Sequence, residues 1–308
     1  MTELNLFVEI APEVRRALSK GEPVVALESS IIAQGLPYPD NIETALAVER
    51  RIAERDVVPA TIAILDGKIR VGLRRDELEF LATAANLRKL SRNDLAAALA
   101  AGDSGATTVA ATMICARAAG IKVFATGGIG GVHRLAEQTL DISRDLHELA
   151  ETPVIVVASG AKSILDLPKT IEVLETLGVP VISHGQEEFA AFWSRESGVL
   201  SPLRIDDPGL IAAAQAAREN LGIPGGMLVS NPIRRSAEVP LKIVQPWVDN
   251  AVAQAAQQGI TGKKLTPFLL NSIAELSGGA TLRANKILVQ DNAELAARIA
   301  VEYTKLRS

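Results

Sequence analysis

The sequence predicts an α/β fold of three layers: a mainly parallel sheet sandwiched between helices, with a small antiparallel hairpin and a helical carboxyl-terminal part. Short β-branched apolar runs alternate with alanine-rich helical stretches from near the start to about residue 230, the rhythm of parallel strands joined by crossover helices. Asp66-Gly67 stands between two apolar runs in ATIAILDGKIRVGL, and both central residues of the type I′ turn that closes a tight hairpin need positive φ. Beyond Pro246 the apolar spacing is helical almost throughout.

In chain order the strand segments are Val24–Leu27, Thr61–Leu65, Lys122–Ala125, Val154–Ala158, Val181–Ser183 and Met227–Val229. Each is short and mostly apolar, as a strand covered by helices on both faces must be. Helical stretches Ile42–Ala53, Ala106–Ala119 and Ser163–Leu177 lie between them, and Asp249–Gln258, Pro267–Leu276 and Asn292–Leu306 follow Pro246. No glycine- or serine-rich linker interrupts the pattern, so residues 1–308 read as one domain, without solenoid repeats or low-complexity tracts.

Hydrophobic residues make up 48% of the chain and charged residues 22%, enough to bury a substantial core. A net charge of -4 and an aromatic content of 3% argue against a nucleic-acid partner, because phosphate contacts need a basic face and base stacking needs rings. Cys115 is the sole cysteine, which excludes an intrachain disulfide and a CxxC site; within Thr112–Ala119 it reads as a small buried hydrophobe. The opening MTELNLFVEI has no basic leader region, and no run approaches the ~20 apolar residues of a membrane span. A cytoplasmic location without a membrane partner is the default expectation.

Ligands of open α/β sheets bind beyond the carboxyl ends of the strands, so polar residues just after apolar runs are the first site candidates. They are Glu28-Ser29-Ser30 after VVAL, the loop Thr126–Gly131 after VFA, Gly160–Ser163 after VIVVAS, and Ser230-Asn231-Pro232 after MLV. Lys162 follows a strand and small residues, where partial desolvation favours the neutral amine that a nucleophile requires. A phosphate-binding or snorkelling lysine fits that position equally well. Glu28 ends its strand in the same way, and apolar walls would keep its carboxyl group protonated as a general acid; a cap is the other reading.

The loop TGGIGGVH holds four glycines within Thr126–Gly131, which lets backbone approach a ligand and offers N–H groups to an anion. It matches neither the dinucleotide nor the Walker pattern. Asp141 and Asp145 in LDISRDLHEL share a face if helical and could present oxygen ligands to a divalent ion, a capped helix start being the plainer reading. The histidines are not spaced for zinc: His147 lies mid-helix and solvated, His184 ends a strand, and His133 adjoins the glycine loop as a candidate substrate contact.

Read in order, VVALESSIIAQGLPYPDN, PATIAILDGKIRVGL, SGATTVAATM, KVFATGGIGGVHR, LDISRDLHELA, GAKSILDLPKT, NPI and TPFLLNSIAEL resemble the pseudouridine-5′-phosphate glycosidase family, also called the indigoidine synthase A-like family. The resemblance runs from about residue 5 to the carboxyl terminus. It implies a manganese-dependent lyase, usually a homotrimer, that splits pseudouridine 5′-phosphate into uracil and ribose 5-phosphate. Carried over position by position, it makes Lys162 in GAKS the nucleophile and Glu28 in LESS the proton donor. It makes Asp141 in LDIS the holder of one Mn2+ per subunit, with Ser143, Arg144 and Asp145 the adjoining substrate-binding segment. Lys89 in RKLSRNDL and Val109 in ATTVA match further substrate-binding positions, and Thr126, His133 and Asn285 occupy places that line the family's pocket.

Departures are small: Ser30 stands where threonine is usual, Gln34 where histidine is common, and Arg144 where a small residue can occur. None touches the acid, metal or nucleophile position. Because the base of pseudouridine is joined through carbon, the two-carboxylate route of ordinary glycosides would expel a poorly stabilised carbanion. Covalent catalysis offers a way round, with Glu28 protonating the ring oxygen, Lys162 attacking the anomeric carbon, and the sugar held as an imine. A Schiff-base lyase of aldolase type and a sugar-phosphate-binding regulator are the alternatives left open.

Overall fold

The computed structural model describes residues 6–306, so residues 1–5 and 307–308 of the expected single domain lie outside it. From the amino end run β1 (Val8–Ile10), α1 (Pro12–Ser19), β2 (Val24–Leu27), α2 (Asp40–Ala53), β3 (Val58–Leu65), β4 (Lys68–Val71), α3 (Arg75–Thr83), β5 (Arg88–Leu90), α4 (Arg92–Ala101) and β6 (Gly105–Thr107). Then come α5 (Val109–Ala119), β7 (Val123–Ala125), β8 (Val132–His133), α6 (Ala136–Thr139), α7 (Arg144–Glu151), β9 (Ile155–Ala158), β10 (Leu165–Asp166) and α8 (Leu167–Thr176). The chain closes with β11 (Val181–Ser183), β12 (Leu203–Arg204), α9 (Pro208–Asn220), β13 (Met227–Ser230), α10 (Leu241–Gln257), α11 (Leu265–Leu276) and α12 (Ala280–Lys305).

The main sheet runs β1-β4-β3-β2-β7-β9-β13-β11-β12, with β6 added to β3 and β5 to β6. Pairing is parallel except where β3 meets β4 and β6, and β8 with β10 forms a separate antiparallel pair. Strands β2, β7, β9 and β13 are buried at every position, which is why they read as continuous apolar runs instead of alternating ones. Helix α12 lies across β2, β7 and β9 and packs on α2 and α9, while α5 and α7 pack together over β2 to β4 and β13. The sheet runs between these two layers, and the expected α/β architecture is what forms.

The hairpin forms at Asp66-Gly67, both at positive φ (50° and 69°), with Leu65 opposite Lys68. A small second core of Ile32, Ile42, Leu65, Leu73, Leu78 and Leu81 sits beside it. Every expected strand is present, β3 reaching back to Val58. Helix boundaries differ more. The stretch Gly105–Thr107 joins the sheet instead of opening α5, and the Thr108 hydroxyl accepts from Ala111 N to start the helix at Val109.

Ser163 likewise does not begin a helix. Leu165 and Asp166 pair with His133 and Val132, and Asp166 then caps α8 by accepting from Lys169 N, with Pro168 just inside. Helix α10 runs straight through Pro246, because burial of Val244, Val248, Ala251 and Ala255 on one face outweighs the loss of a single N–H donor. Helix α12 begins at Ala280, well before Asn292.

Cys115 is fully buried, and burial, with the Glu148 carboxylate adding to it, pushes its thiol up to about 12. The native protein should therefore resist a disulfide reagent at pH 8 and react at one thiol per chain once unfolded in urea, read by absorbance. Gly67 tests the hairpin. A Cβ there would stand 2.8 Å from Gly102 Cα and 2.9 Å from Leu99 O, whereas Gly21, at nearly the same φ, faces open space. Gly67→Ala should cost about 2–3 kcal/mol in urea denaturation and Gly21→Ala about 1 kcal/mol; equal losses would rule out the close contact.

Candidate active site

The carboxyl ends of β2, β7 and β9 open into one cavity with two lobes. Glu28, Ser30, Lys89, Lys162 and Thr266 line both. One lobe, about 550 Å³, is walled by Ile31, Phe192, Leu270 and Leu288 with Gln34 and Asn285. The other, about 890 Å³, is polar, bounded by Ser91, Asn93, Thr108, Asp141, Ser143 and Asp145, with Val109. An apolar slot beside a polar chamber suits a ligand that is flat at one end and charged at the other.

Glu28 is 9% exposed, but its immediate neighbours are not the apolar walls the sequence suggested. Thr126 Oγ1 donates to one carboxylate oxygen and Ser30 Oγ to the other. A hydroxyl can donate to a carboxylate and accept from the protonated acid, so both protonation states of Glu28 keep partners. That suits a group that gives up and regains a proton. Lys162 is half-buried, and its Nζ donates to Gly128 O at 2.9 Å.

The glycine loop serves approach more than anion binding. None of Gly127, Gly128, Gly130 and Gly131 has positive φ. A Cβ on Gly128 would lie 2.7 Å from the Phe192 ring, on Gly130 2.3 Å from Ser143 Oγ, and on Gly131 2.5 Å from Thr170 Oγ1. The Gly130 N–H is already committed, donating to Asp145 Oδ2 at 2.8 Å. Phe192, at φ 63°, is itself in a conformation that costs a bulky residue energy.

Asp141 and Asp145 do not share a helix face, because α7 begins after Asp141. Asp145 is 6% exposed and saturated by backbone, accepting from Ala110 N at 2.9 Å as well as from Gly130 N. It locks α5, α7 and the glycine loop together. Asp141 differs: its carboxylate takes no hydrogen bond from the described residues and lines the polar lobe beside Ser143. Among the described residues no group of three or more His, Cys, Asp or Glu side chains converges on a metal position. The donors present fit an oxygen-loving divalent ion held by one carboxylate and water, and do not make a closed zinc site.

His133 is not among the residues lining either lobe. Burial holds its imidazole below the ordinary value; Asp141 opposes that shift, and Lys162 and Lys89 reinforce it. These charges therefore act on one another. The Arg144 side chain pairs with Glu151 at 2.7 Å, away from the lining. Lys89 is the middle residue of β5, beside which the first turns of α4 and α5 present Ser91, Asn93, Thr108 and Val109 to the polar lobe. Two helix amino ends and a lysine make that chamber favourable to an anion.

Residues 13–302 match the family described as indigoidine synthase A like protein. The chain belongs to that family. It is 58% identical over 301 residues to a pseudouridine-5′-phosphate glycosidase of Jannaschia sp. (strain CCS1), covering 98% of this chain and 100% of the relative. It is 59% identical to the protein of the same name from Paracoccus denitrificans, covering 95% and 97%. Among solved structures it is similar to the prealnumycin C-glycosynthase AlnA in complex with ribulose 5-phosphate, at 40% identity and TM-score 0.91, covering 98% and 99%. An indigoidine synthase A-like protein from Thermotoga maritima superposes at TM-score 0.88 with 33% identity, covering 97% of each chain.

Sequence reasoning missed Phe192, Thr266, Pro267, Leu270 and Leu288 as cavity walls. No local signal marks them: Phe192 comes from the segment between β11 and β12, Thr266, Pro267 and Leu270 from α11 and Leu288 from α12, and they meet only in the fold. A supporting element was also hidden: Glu148, fully buried, pairs with Arg92 at 2.6 Å and accepts from Thr152 Oγ1. That bridge ties α4 to α7 beside the polar lobe. Arg92→Met should cost about 2–3 kcal/mol in chemical denaturation, less than for a fully buried pair because Arg92 is partly exposed. Arg92→Met with Glu148→Gln should recover most of that loss.

Proposed function

We propose that this chain is a pseudouridine-5′-phosphate glycosidase, releasing uracil and ribose 5-phosphate from pseudouridine 5′-phosphate. One observation carries the reading: Lys162 and Glu28 line the same junction between an apolar slot and an anion-favouring chamber. Relatives above half identity over nearly the whole chain carry that name. The slot takes the base and the chamber the phosphate, which puts the glycosidic carbon at the junction. Lys89 and the amino ends of α4 and α5 meet the phosphate.

In the first step Glu28 gives its proton to the ribose ring oxygen as the Lys162 amine bonds to C1′, and the C1′–O4′ bond breaks. The resulting alkylammonium returns a proton to Glu28. Glu28 then protonates C5 of the base, the C1′–C5 bond breaks, and the nitrogen lone pair closes an iminium to Lys162. Water adds to that iminium with Glu28 as base, freeing ribose 5-phosphate and restoring both residues. Thr126 and Ser30 hold Glu28 in place in each protonation state. Run backwards, the same steps join a base carbon to an open-chain sugar phosphate, a direction supported by the similarity to a C-glycosynthase.

Asp141 would hold the manganese ion, which when bound supplies a local positive charge that orders water and sugar oxygens. A homotrimer is the proposed assembly, supported by Leu135, Leu140 and Ile142, which are 54%, 80% and 38% exposed on one short segment. No helix among the described residues is long and apolar enough to cross a membrane, and a cytoplasmic location is proposed.

Incubation with pseudouridine 5′-phosphate and Mn2+ should release uracil, and borohydride should trap a sugar phosphate on Lys162 by mass spectrometry. Lys162→Ala should lower turnover at least ~10³-fold while keeping ligand binding. No uracil and no adduct would sink the reading, and a shorter sugar fragment would point to an aldolase. Chelation should abolish activity that added Mn2+ restores, except in Asp141→Ala.

A further inference from the structure

Glu49 on α2 is a half-buried carboxyl group that takes no part in the steps above. From the neighbouring β3, Thr61 Oγ1 donates to its Oε1 at 2.6 Å. Burial holds the Glu49 carboxyl group above the ordinary carboxylate value, opposed by the Thr61 hydrogen bond and the charge of Arg75 and reinforced by Glu13. Such a group keeps a proton at a higher pH than an exposed carboxylate does.

A narrow recess runs from Thr61 to Glu28, lined also by Thr44 and Thr126 and roofed by Val48 and Val289. The strand register brings these residues together. Leu27 stands beside Thr61 on one flank and Ala125 on the other, so Glu28 and Thr126, one residue further along, reach the recess that Thr61 faces. The space holds about one water molecule. Thr44 Oγ1 donates to Asp40 O at 2.6 Å and Thr126 Oγ1 donates to Glu28, which leaves both hydroxyl oxygens able to accept from that water. Among the described residues, Glu28 alone lines both this recess and the polar lobe.

We propose that Glu49 and Thr61 form a proton relay that recharges Glu28 from the α2 side while a ligand occupies the cavity, with one water in the recess joining Thr61 to Thr126. A ligand at the junction covers the cavity side of Glu28, and the reaction starts only from the protonated acid. A complex formed with Glu28 ionised is therefore idle until a proton arrives. Glu49 takes that proton from solvent and gives it to Thr61 Oγ1, as Thr61 gives its own to the water. The water passes one proton to Thr126 Oγ1, and Thr126 passes its own to the Glu28 carboxylate. Each oxygen between the two carboxyl groups gains one proton and loses one, so only Glu49 and Glu28 change state. The relay deepens the glycosidase reading and rests on it; Glu49 and Thr61 act through Glu28 and do not touch the substrate.

The test measures kcat and KM for uracil release from pseudouridine 5′-phosphate with Mn2+, in H2O and in D2O, for the unsubstituted protein, Glu49→Gln, Thr61→Val and Thr61→Ser. Glutamine still accepts from Thr61 but cannot carry the proton, so a purely structural pair predicts unchanged turnover for Glu49→Gln. The relay predicts kcat about tenfold lower for Glu49→Gln and Thr61→Val, with KM no higher and a larger solvent isotope effect, because proton delivery becomes limiting. Thr61→Ser keeps the hydroxyl and should recover most of the loss. Urea denaturation of each variant shows whether Thr61→Val weakens the fold; Glu49→Gln, which keeps the hydrogen bond, decides the matter if it does. Turnover of Glu49→Gln at the unsubstituted rate, with the same isotope effect, would overturn the relay and leave the glycosidase reading standing. Absence of uracil from the unsubstituted protein would overturn both.

Discussion

The side-chain amide of Asn292, fully buried on α12, is the interaction on which the arrangement of the cavity depends. Its nitrogen donates to Thr126 O at 2.8 Å and Gly127 O at 3.2 Å. Its oxygen accepts from Ser159 Oγ at 3.2 Å and Asn231 Nδ2 at 3.1 Å. The carboxyl ends of β7, β9 and β13 are thereby tied to one point on one helix. The candidate site residues hang from those ends: Thr126 holds Glu28, the loop after Ser159 carries Lys162, and the glycine loop starts at Gly127. A buried amide saturated on all sides is worth more than its separate bonds, because losing any partner strands a polar group in the core.

From that point outward the site is built by close approach. Glycines at 128, 130 and 131 leave room for Phe192, Ser143 and Thr170 where a Cβ would collide. The approach lets Asp145 collect two backbone N–H groups from separate segments, and lets Lys162 reach Gly128 O. Charges are divided accordingly. The carboxylate of Asp145 is spent on structure, while Asp141, Lys89 and Lys162 remain in one field that His133 senses. The chain is similar both to glycosidases and to a C-glycosynthase, and in the proposed mechanism bond cleavage and bond formation would pass through the same acid and amine.

Much of this was legible in the residues. Continuous apolar runs, the Asp66-Gly67 turn and polar residues at strand ends follow from local rules, because burial on both faces and positive φ leave marks within a few residues. The family blocks added roles for Lys162, Glu28 and Asp141 that strand-end position alone left undecided. Less legible were the start of α5, the pairing of Leu165 with His133 and the passage of α10 through Pro246. In each case a partner distant in sequence supplied the burial or hydrogen bond that reversed the local preference.

By itself, then, the sequence determined the layered α/β architecture, the hairpin, the inert Cys115 and the strand ends where chemistry belongs. Tertiary structure decided what each polar group faces. It gave Glu28 hydroxyl partners in place of apolar walls, spent Asp145 on backbone and left Asp141 open to the chamber. It also turned the Arg144 side chain to Glu151 and brought Phe192, Thr266 and Leu270 to the cavity. The physical reason is range: strand and turn preferences act within a few residues, whereas most of these hydrogen bonds and cavity walls are made by segments distant in sequence that meet only in the folded chain.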